Sequence, residues 1–257
     1  MARMCLSSEM EKREQVKTRR HRNIAILLSG GIGNRMNQDI PKQYIQVGGK
    51  PIIYYSLKAL LINAHTDMLV IVIADEWKSF VEPYLASIPH AQDILFAEPG
   101  ETRQYSVYNA LKVIAKAGYE EDDIVLIHEA ARPLATQEMI DKCYLACEEA
   151  DCVVPVMPVK DTLYFSEDGK LIGSLLERSK IWSGQAPEAF RFGKYLRAHL
   201  ETPREVLLTF NGGTELAFHC GMSCRLIEGD PFNFKITTQE DLTHFKSIME
   251  GAASKPE

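Results

Sequence analysis

The chain has 257 residues, 46% hydrophobic and 25% charged, the balance of a globular protein with one sizeable core. Its formal net charge of -6 gives no basic field for nucleic acid or an anionic membrane surface. No apolar run approaches the roughly 20 residues that a bilayer span requires.

Residues 1–22 are densely charged, lack apolar periodicity and contain no apolar signal core. They read as a disordered N-terminal extension, with the basic cluster at 17–22 a solvated tail. The apolar run 24–28 predicts a buried strand entering a glycine loop. Residues 51–63 carry apolar positions at helical spacing, and M-L-V-I-V-I-A at 68–74 has the continuous β-branched pattern of a strand buried on both faces. A helix follows at 76–87, a short strand at 94–97 and a helix at 105–117. Strand 123–128, helix 137–150 and strand 151–156 continue the alternation. Strands alternating with helices predict a single α/β domain with a mostly parallel sheet and right-handed crossovers.

One segment breaks the rhythm. In D-T-L-Y-F-S-E-D-G-K-L-I-G-S-L-L, residues 161–176, two strand-like runs flank Asp168-Gly169, a hairpin-turn signal. A hairpin inserted into such a sheet leaves edges to cover, and a second subunit is a common cover. The six cysteines (Cys5, Cys143, Cys147, Cys152, Cys220 and Cys224) form no C-x-x-C pair or zinc spacing, so reduced thiols in a cytoplasmic protein are expected. Cys143 and Cys147, four apart in a predicted helix, read as buried packing.

The glycine loop is L-L-S-G-G-I-G-N-R-M at 27–36. It fails the dinucleotide fingerprint because Met36 stands where a third glycine would let helix and strand approach. It fails the P-loop pattern because no G-K-[ST] follows. What remains is a strand leading into a turn that contains Gly30, Gly31 and Gly33. Its backbone N–H groups can cradle phosphate, and Arg35 and Lys42 can supply positive charge. On these residues alone, a plain structural turn stays open.

Six blocks in order resemble the methylerythritol-phosphate and ribitol-phosphate cytidylyltransferases. They are S-G-G-I-G-N-R-M with P-K-Q-Y at 41–44, G-E-T-R-Q-Y-S-V at 100–107, and H-E-A-A-R-P at 128–133. P-V-K-D-T at 158–162, I-W-S-G-Q-A-P-E-A-F at 181–190 and N-F-K-I-T-T-Q-E-D-L at 233–242 complete the set. The resemblance spans about residues 23–242 and implies a Rossmann-like, GT-A-like nucleotidyltransferase domain over 23–250, with the hairpin as a dimerisation arm at 157–180.

The resemblance implies a reaction in which CTP and a small polyol phosphate give a CDP-polyol and pyrophosphate. The attacking phosphate oxygen is already anionic, so alignment and charge neutralisation matter more than a strong base. Arg35, Lys42 and Lys235 are the implied catalytic cations. Ser29, Gly30, Gly31, Gly33, Gly100, Glu101, Ser106 and Ala130 are the implied nucleotide contacts, while Arg103 braces its loop or touches CTP. Glu129, Arg132, Asp161, Thr162 and Arg178 are the implied acceptor contacts. Mg²⁺ or another divalent ion is expected on the triphosphate, with Glu129 as its ligand. His128 reads as a packing residue.

Several positions depart from the family pattern. Glu101 and Glu129 stand where Asp is usual, Ala186 replaces a Thr, and Asn211-Gly212-Gly213 replaces an acidic segment. The departures gather on the acceptor side. Methylerythritol 4-phosphate is therefore the first expectation and ribitol 5-phosphate or another alditol phosphate the alternative. An inactive nucleotide-binding protein is the alternative of another class, and retention of Arg35 and Lys42 argues against it. An NAD oxidoreductase is disfavoured by Met36.

Overall fold

The computed structural model describes residues 21–31, 40–90 and 92–253. The chain opens with β1 (Asn23–Leu28), a hairpin of β2 (Gln46–Val47) and β3 (Lys50–Pro51), and α1 (Ile52–Leu61). It continues through β4 (Met68–Val72), α2 (Asp75–Ala86), β5 (Asp93–Ala97), α3 (Arg103–Lys116), β6 (Ile124–Glu129), α4 (Gln137–Cys147) and β7 (Cys152–Pro158). A projecting hairpin of β8 (Tyr164–Phe165) and β9 (Ser174–Leu175) leads to β10 (Trp182–Gly184) and β11 (Glu188–Arg191). The last elements are α5 (Phe192–Glu201), α6 (Arg204–Leu207), α7 (Gly213–His219), β12 (Cys224–Glu228) and α8 (Gln239–Ala253).

β6, β1, β4 and β5 run parallel in that order. The chain leaves β1 towards β4 and β5, then returns to the other side of β1 as β6. The resulting crevice at the carboxyl ends of β1 and β6 is where open α/β sheets place ligands. Beyond β6, β11 runs antiparallel and joins it to β7, while β12 runs parallel along the far edge of β7. β10 shares the β11-facing edge of β7 at its other end, so β10 and β11 form one interrupted strand.

The period-two geometry of a strand sorts the core. Ala25 and Leu27 of β1 face one layer with α1, α2 and α4; Ile24 and Ile26 face the other with α3, α5 and α7. Every residue of β4 is buried, as its continuous apolar run predicts. Full burial of each such aliphatic side chain contributes about 1.5–3 kcal/mol. Cys143 and Cys147 are buried in α4, as expected. A third, smaller cluster seats Ile45, Val47 and Ile52 against Ile236, Leu242 and Phe245, and so brings α8 and the preceding loop over the β2–β3 hairpin.

Two expectations need correction. Arg22, assigned to the N-terminal extension, is anchored: its Nη2 donates to Asp123 Oδ2 at 3.0 Å and its backbone N–H to Asp123 Oδ1 at 2.8 Å. The rest of that extension, up to residue 20, lies outside the described residues. The arm hairpin is also slighter than its sequence predicts, because each strand has only two residues. Asp168-Gly169 sits in a wider loop, where Asp168 Oδ1 accepts from the N–H groups of Lys170 and Leu171. The local turn chemistry of Asp168 wins over strand extension.

Candidate active site

A hollow of ≈ 640 Å³ opens at the carboxyl ends of β1, β5 and β6. Two backbone loops build its floor. The first leaves β1 at Ser29, whose Oγ donates to Val72 O at 2.8 Å. Gln43 Nε2 then donates to Ser29 O at 2.5 Å and Gly31 O at 3.0 Å, tying the glycine loop to the segment that carries Lys42. The second loop, 98–102, enters α3. Gly100 N–H donates to Ser106 Oγ at 3.0 Å, and that hydroxyl donates to Thr102 O at 2.9 Å. Thr102 caps the helix by accepting from Tyr105 N–H. The positive end of α3 thus reaches the hollow, which suits an anion.

Two glycines are required by contact. A Cβ on Gly30 would lie 2.6 Å from Pro99 Cβ, and one on Gly100 would lie 2.4 Å from Tyr105 Cβ. The glycine backbone therefore packs directly on Pro99 and on the first turn of α3, a closeness that leaves no room for a side chain.

Lys42 and Lys235 reach the same hollow from opposite sides of the small third cluster. Lys42 starts the short helical turn before Ile45. Lys235 precedes Ile236, whose N–H donates to Ala131 O at 2.9 Å. Packing, rather than proximity in sequence, sets the spacing of these two cations.

Glu129, at the end of β6, is the electrostatic centre. Lys235 Nζ lies 3.0 Å from its carboxylate, Arg132 Nε 3.2 Å and Arg103 Nε 3.5 Å. Burial raises its pKa, but Lys235, Arg103 and Arg132 outweigh burial and hold it down at about 2. Beside it, burial pushes the His128 imidazole down to about 4, and Nε2 contacts Arg132 O at 2.9 Å. His128 packs, as expected.

A second hollow, also ≈ 640 Å³, lies against the first and shares Arg103 and Glu129 with it. Its walls come from later in the chain: Arg132, Lys180–Trp182, Gln185–Ala186, Glu188 and the 211–215 segment. Arg132 Nη1 is fixed by Asn233 O at 2.9 Å.

The structure gathers Ser29, Gly30, Gly31, Lys42, Gly100, Glu101, Ser106, Glu129, Ala130 and Lys235 around the first hollow. Arg132 reaches the second. Gly33 and Arg35 lie outside the described residues. Asp161, Thr162 and Arg178 do not converge with the rest: they are exposed on the arm and line neither hollow. Arg178 Nη1 instead donates to Lys160 O at 2.6 Å, bracing the base of the arm. Glu101 is paired with Arg204 of α6. The assignment of Glu129 as a metal ligand meets a carboxylate already shared by three cations, and the described residues contain no cluster of three metal-ligating side chains. Among the described residues, the donor set is not a metal cage.

Sequence reasoning missed Gln43, Thr237, Glu188 and Thr214. Gln43 stood in view beside Lys42. Glu188 and Thr214 carried no local signal, since what matters about them is a contact across 26 residues.

The profile of the 2-C-methyl-D-erythritol 4-phosphate cytidylyltransferase family matches residues 23–251. The chain belongs to this family. A relative from Lachnospira eligens, named 2-C-methyl-D-erythritol 4-phosphate cytidylyltransferase, is 34% identical over 233 residues, covering 89% of this chain and all of the relative. A relative of the same name from Bacillus velezensis is 31% identical over 227 residues, covering 88% and 95%. The crystal structure of the Francisella tularensis 2-C-methyl-D-erythritol 4-phosphate cytidylyltransferase superposes with a TM-score of 0.73 at 26% identity, covering 88% of this chain and 99% of that one. The expected α/β nucleotidyltransferase fold is thereby shown, and with membership in the cytidylyltransferase family comes the activity class, nucleotidyl transfer.

Proposed function

We propose that the chain transfers CMP from CTP to 2-C-methyl-D-erythritol 4-phosphate in the cytoplasm, with CTP in the first hollow and the acceptor in the second. An oxygen of the acceptor phosphate attacks the α-phosphorus of CTP in line. The bond from that phosphorus to the bridging oxygen breaks, and pyrophosphate leaves. Lys42, Lys235 and Arg35 neutralise the charge that spreads over the phosphates, Arg35 through a two-pronged contact. A divalent ion, Mg²⁺ as the first choice, supplies further charge neutralisation when carried in on the triphosphate by phosphate oxygens and water. The observation that carries the reading is the shared wall: Arg103 and Glu129 border both hollows, so two substrates can meet there.

The test is product mass from CTP and a panel of polyol phosphates. CDP-methylerythritol as the dominant product supports the reading, and equal turnover of UTP overturns it. One observation favours ribitol 5-phosphate or another alditol phosphate as the alternative. The departures Ala186, Asn211 and Gly212 all line the second hollow, where they change its hydrogen-bonding groups.

The same reading makes the enzyme a homodimer whose arms, residues 157–180, complete the acceptor site of the neighbouring subunit. Tyr164, Phe165, Leu171, Ile172, Leu175 and Leu176 are exposed together on the arm, an apolar surface that calls for a cover. Isologous pairing is the commonest way to provide one. Mixing inactive Lys42→Ala subunits with Thr162→Ala subunits should restore activity, because one of the two mixed sites is intact. A fully active monomer by light scattering overturns the shared site. No described helix is long and apolar enough to cross a membrane.

A further inference from the structure

Arg103 stands on the wall between the two hollows, and its surroundings are unusually specific. Its Nε faces Glu129 at 3.5 Å, while Nη2 donates to Glu188 Oε2 at 2.8 Å. The other oxygen of Glu188 is held from behind: Thr214 Oγ1 donates to Oε1 at 2.5 Å, and the Thr214 N–H donates to it at 3.3 Å. Glu188 is 7% exposed, so its charge is bearable only with these partners. The neighbouring position is shaped around it. A Cβ at Gly213 would lie 3.0 Å from Glu188 Oε2 and 2.9 Å from both Phe190 Cζ and Tyr195 Oη.

The contact is not isolated. Gln104 Nε2 donates to Gly212 O at 2.6 Å, and Arg204 pairs with Glu101. Three of the four residues 101–104, at the end of the loop that floors the first hollow and the start of α3, are thus bound to Glu188 or to residues 204–212. Yet Asn211, Gly212, Thr214 and Glu188 line the second hollow. The nucleotide-side loop is secured from the acceptor side.

We propose that Glu188, held by Thr214, is a positioning residue that fixes Arg103 on the wall between the hollows and so sets the cationic surface that the acceptor meets. The inference rests on the assignment of the second hollow to the acceptor. The physical argument is a competition between two carboxylates for one guanidinium. With Glu188 charged and oriented, Arg103 spends its stronger contact there and stays at 3.5 Å from Glu129. Without that charge, Arg103 turns from Glu188 towards Glu129, with which it already pairs, and the guanidinium no longer stands where the acceptor meets the wall. Lys42, the first glycine loop and the Gln43 brace are untouched, and Glu101 and Gln104 keep their own partners, so CTP binding changes far less than acceptor binding.

Glu188→Gln, Thr214→Val and Thr214→Ser in the full chain test this. Three measurements are needed: the CTP dissociation constant without acceptor, the acceptor KM and kcat with saturating CTP, and the thermal unfolding midpoint. Glu188→Gln should raise the acceptor KM about tenfold or more, with CTP affinity within about twofold of wild type. Thr214→Val should move the acceptor KM the same way by about three- to tenfold, the range for one lost hydrogen bond to a charged group, and Thr214→Ser should restore it. A lower midpoint with unchanged acceptor KM would reduce Glu188 to a structural role and overturn the proposal. So would equal losses for CTP and acceptor. If Glu188→Gln does not fold, the two Thr214 variants decide the matter through the same KM comparison. Wild-type protein that turns over no polyol phosphate overturns the functional reading together with this inference. Normal wild-type turnover beside an unchanged Glu188→Gln KM overturns this inference alone.

Discussion

The two hollows meet at Arg103 and Glu129 but are built in opposite ways. The first hollow, proposed for the nucleotide, takes its floor from backbone: strand ends, two tight glycine contacts, a capped helix N-terminus and the Gln43 brace. The second hollow, proposed for the acceptor, is walled by side chains held by ion pairs and hydrogen bonds between segments far apart in sequence, Arg103 with Glu188 and Arg132 with Asn233. At Gly30 and Gly100 the backbone-built surface has little freedom to vary, because a Cβ there collides. A side-chain-built surface can change its ligand one substitution at a time. Of the departures from the family pattern, Ala186, Asn211 and Gly212 line the second hollow, Glu101 the first and Glu129 both.

The strongest way to test that contrast is to remove charge from the nucleotide side. Lys42→Ala, and likewise Arg35→Ala, should lower kcat by about 10²- to 10³-fold with an unchanged circular dichroism spectrum. Arg35→Lys should stay poor, since an ammonium lacks the planar fork. A twofold effect would show that the cations are bystanders and that the loops alone do the work.

Acid should ignore the division. His128, under the first hollow, and His199, in α5, are both buried, and burial pushes each imidazole down to about 4. In the unfolded chain each titrates near 6.5, so the unfolded state takes up protons first. Their contribution is complete above about pH 6.5 and is lost as pH falls towards 4, by roughly 3 kcal/mol for each histidine. Denaturant midpoints measured from pH 7 to 4 should fall steeply and together for tryptophan fluorescence and circular dichroism. A flat profile would mean that the histidines have other partners. Glu129 acts lower still: its pKa of about 2 keeps its contribution until the carboxylate protonates below the ordinary range.

Gly30→Ala sharpens the comparison from the backbone side. The 2.6 Å approach to Pro99 forces the two loops apart, at about 1–3 kcal/mol. CTP affinity should fall, and the acceptor KM at saturating CTP should hold. An equal loss on both sides would mean that the loops are not a separate unit. The smallest effect is expected on the arm. Asp168→Ala removes an exposed turn contact, and its unfolding midpoint should shift by no more than about 0.5 kcal/mol in stability.

What the sequence revealed follows the same line. β4, β6 and β7 were legible because strands buried on both faces leave unbroken apolar runs, and the nucleotide loops because glycine marks places where only backbone fits. α3 was visible from its spacing, though its start at Arg103 depended on the Thr102 cap. The acceptor wall was not legible. Glu188 reads as an ordinary surface carboxylate until β11 inserts between β6 and β7 and buries it beside Arg103. Arg178, Asp161 and Thr162 were placed near the site by resemblance, and within one chain they stand on an exposed arm. In the homodimer proposed above, their role would depend on a second copy.

The arm leaves the sheet at Pro158 and re-enters it at Trp182, and those two residues are directly paired. Both ends of the excursion are thus clamped at one point on the edge of β7, and everything between them is closed off from the core. Lengthening such a closed excursion is cheap, since doubling a loop costs only about 0.6 kcal/mol in closure entropy. Insertions and deletions there can accumulate without moving β7, β11 or the loops that hold the nucleotide. The fold thereby gives evolution a detachable part, whose length and surface can drift while the sheet and the loops of the first hollow stay in place.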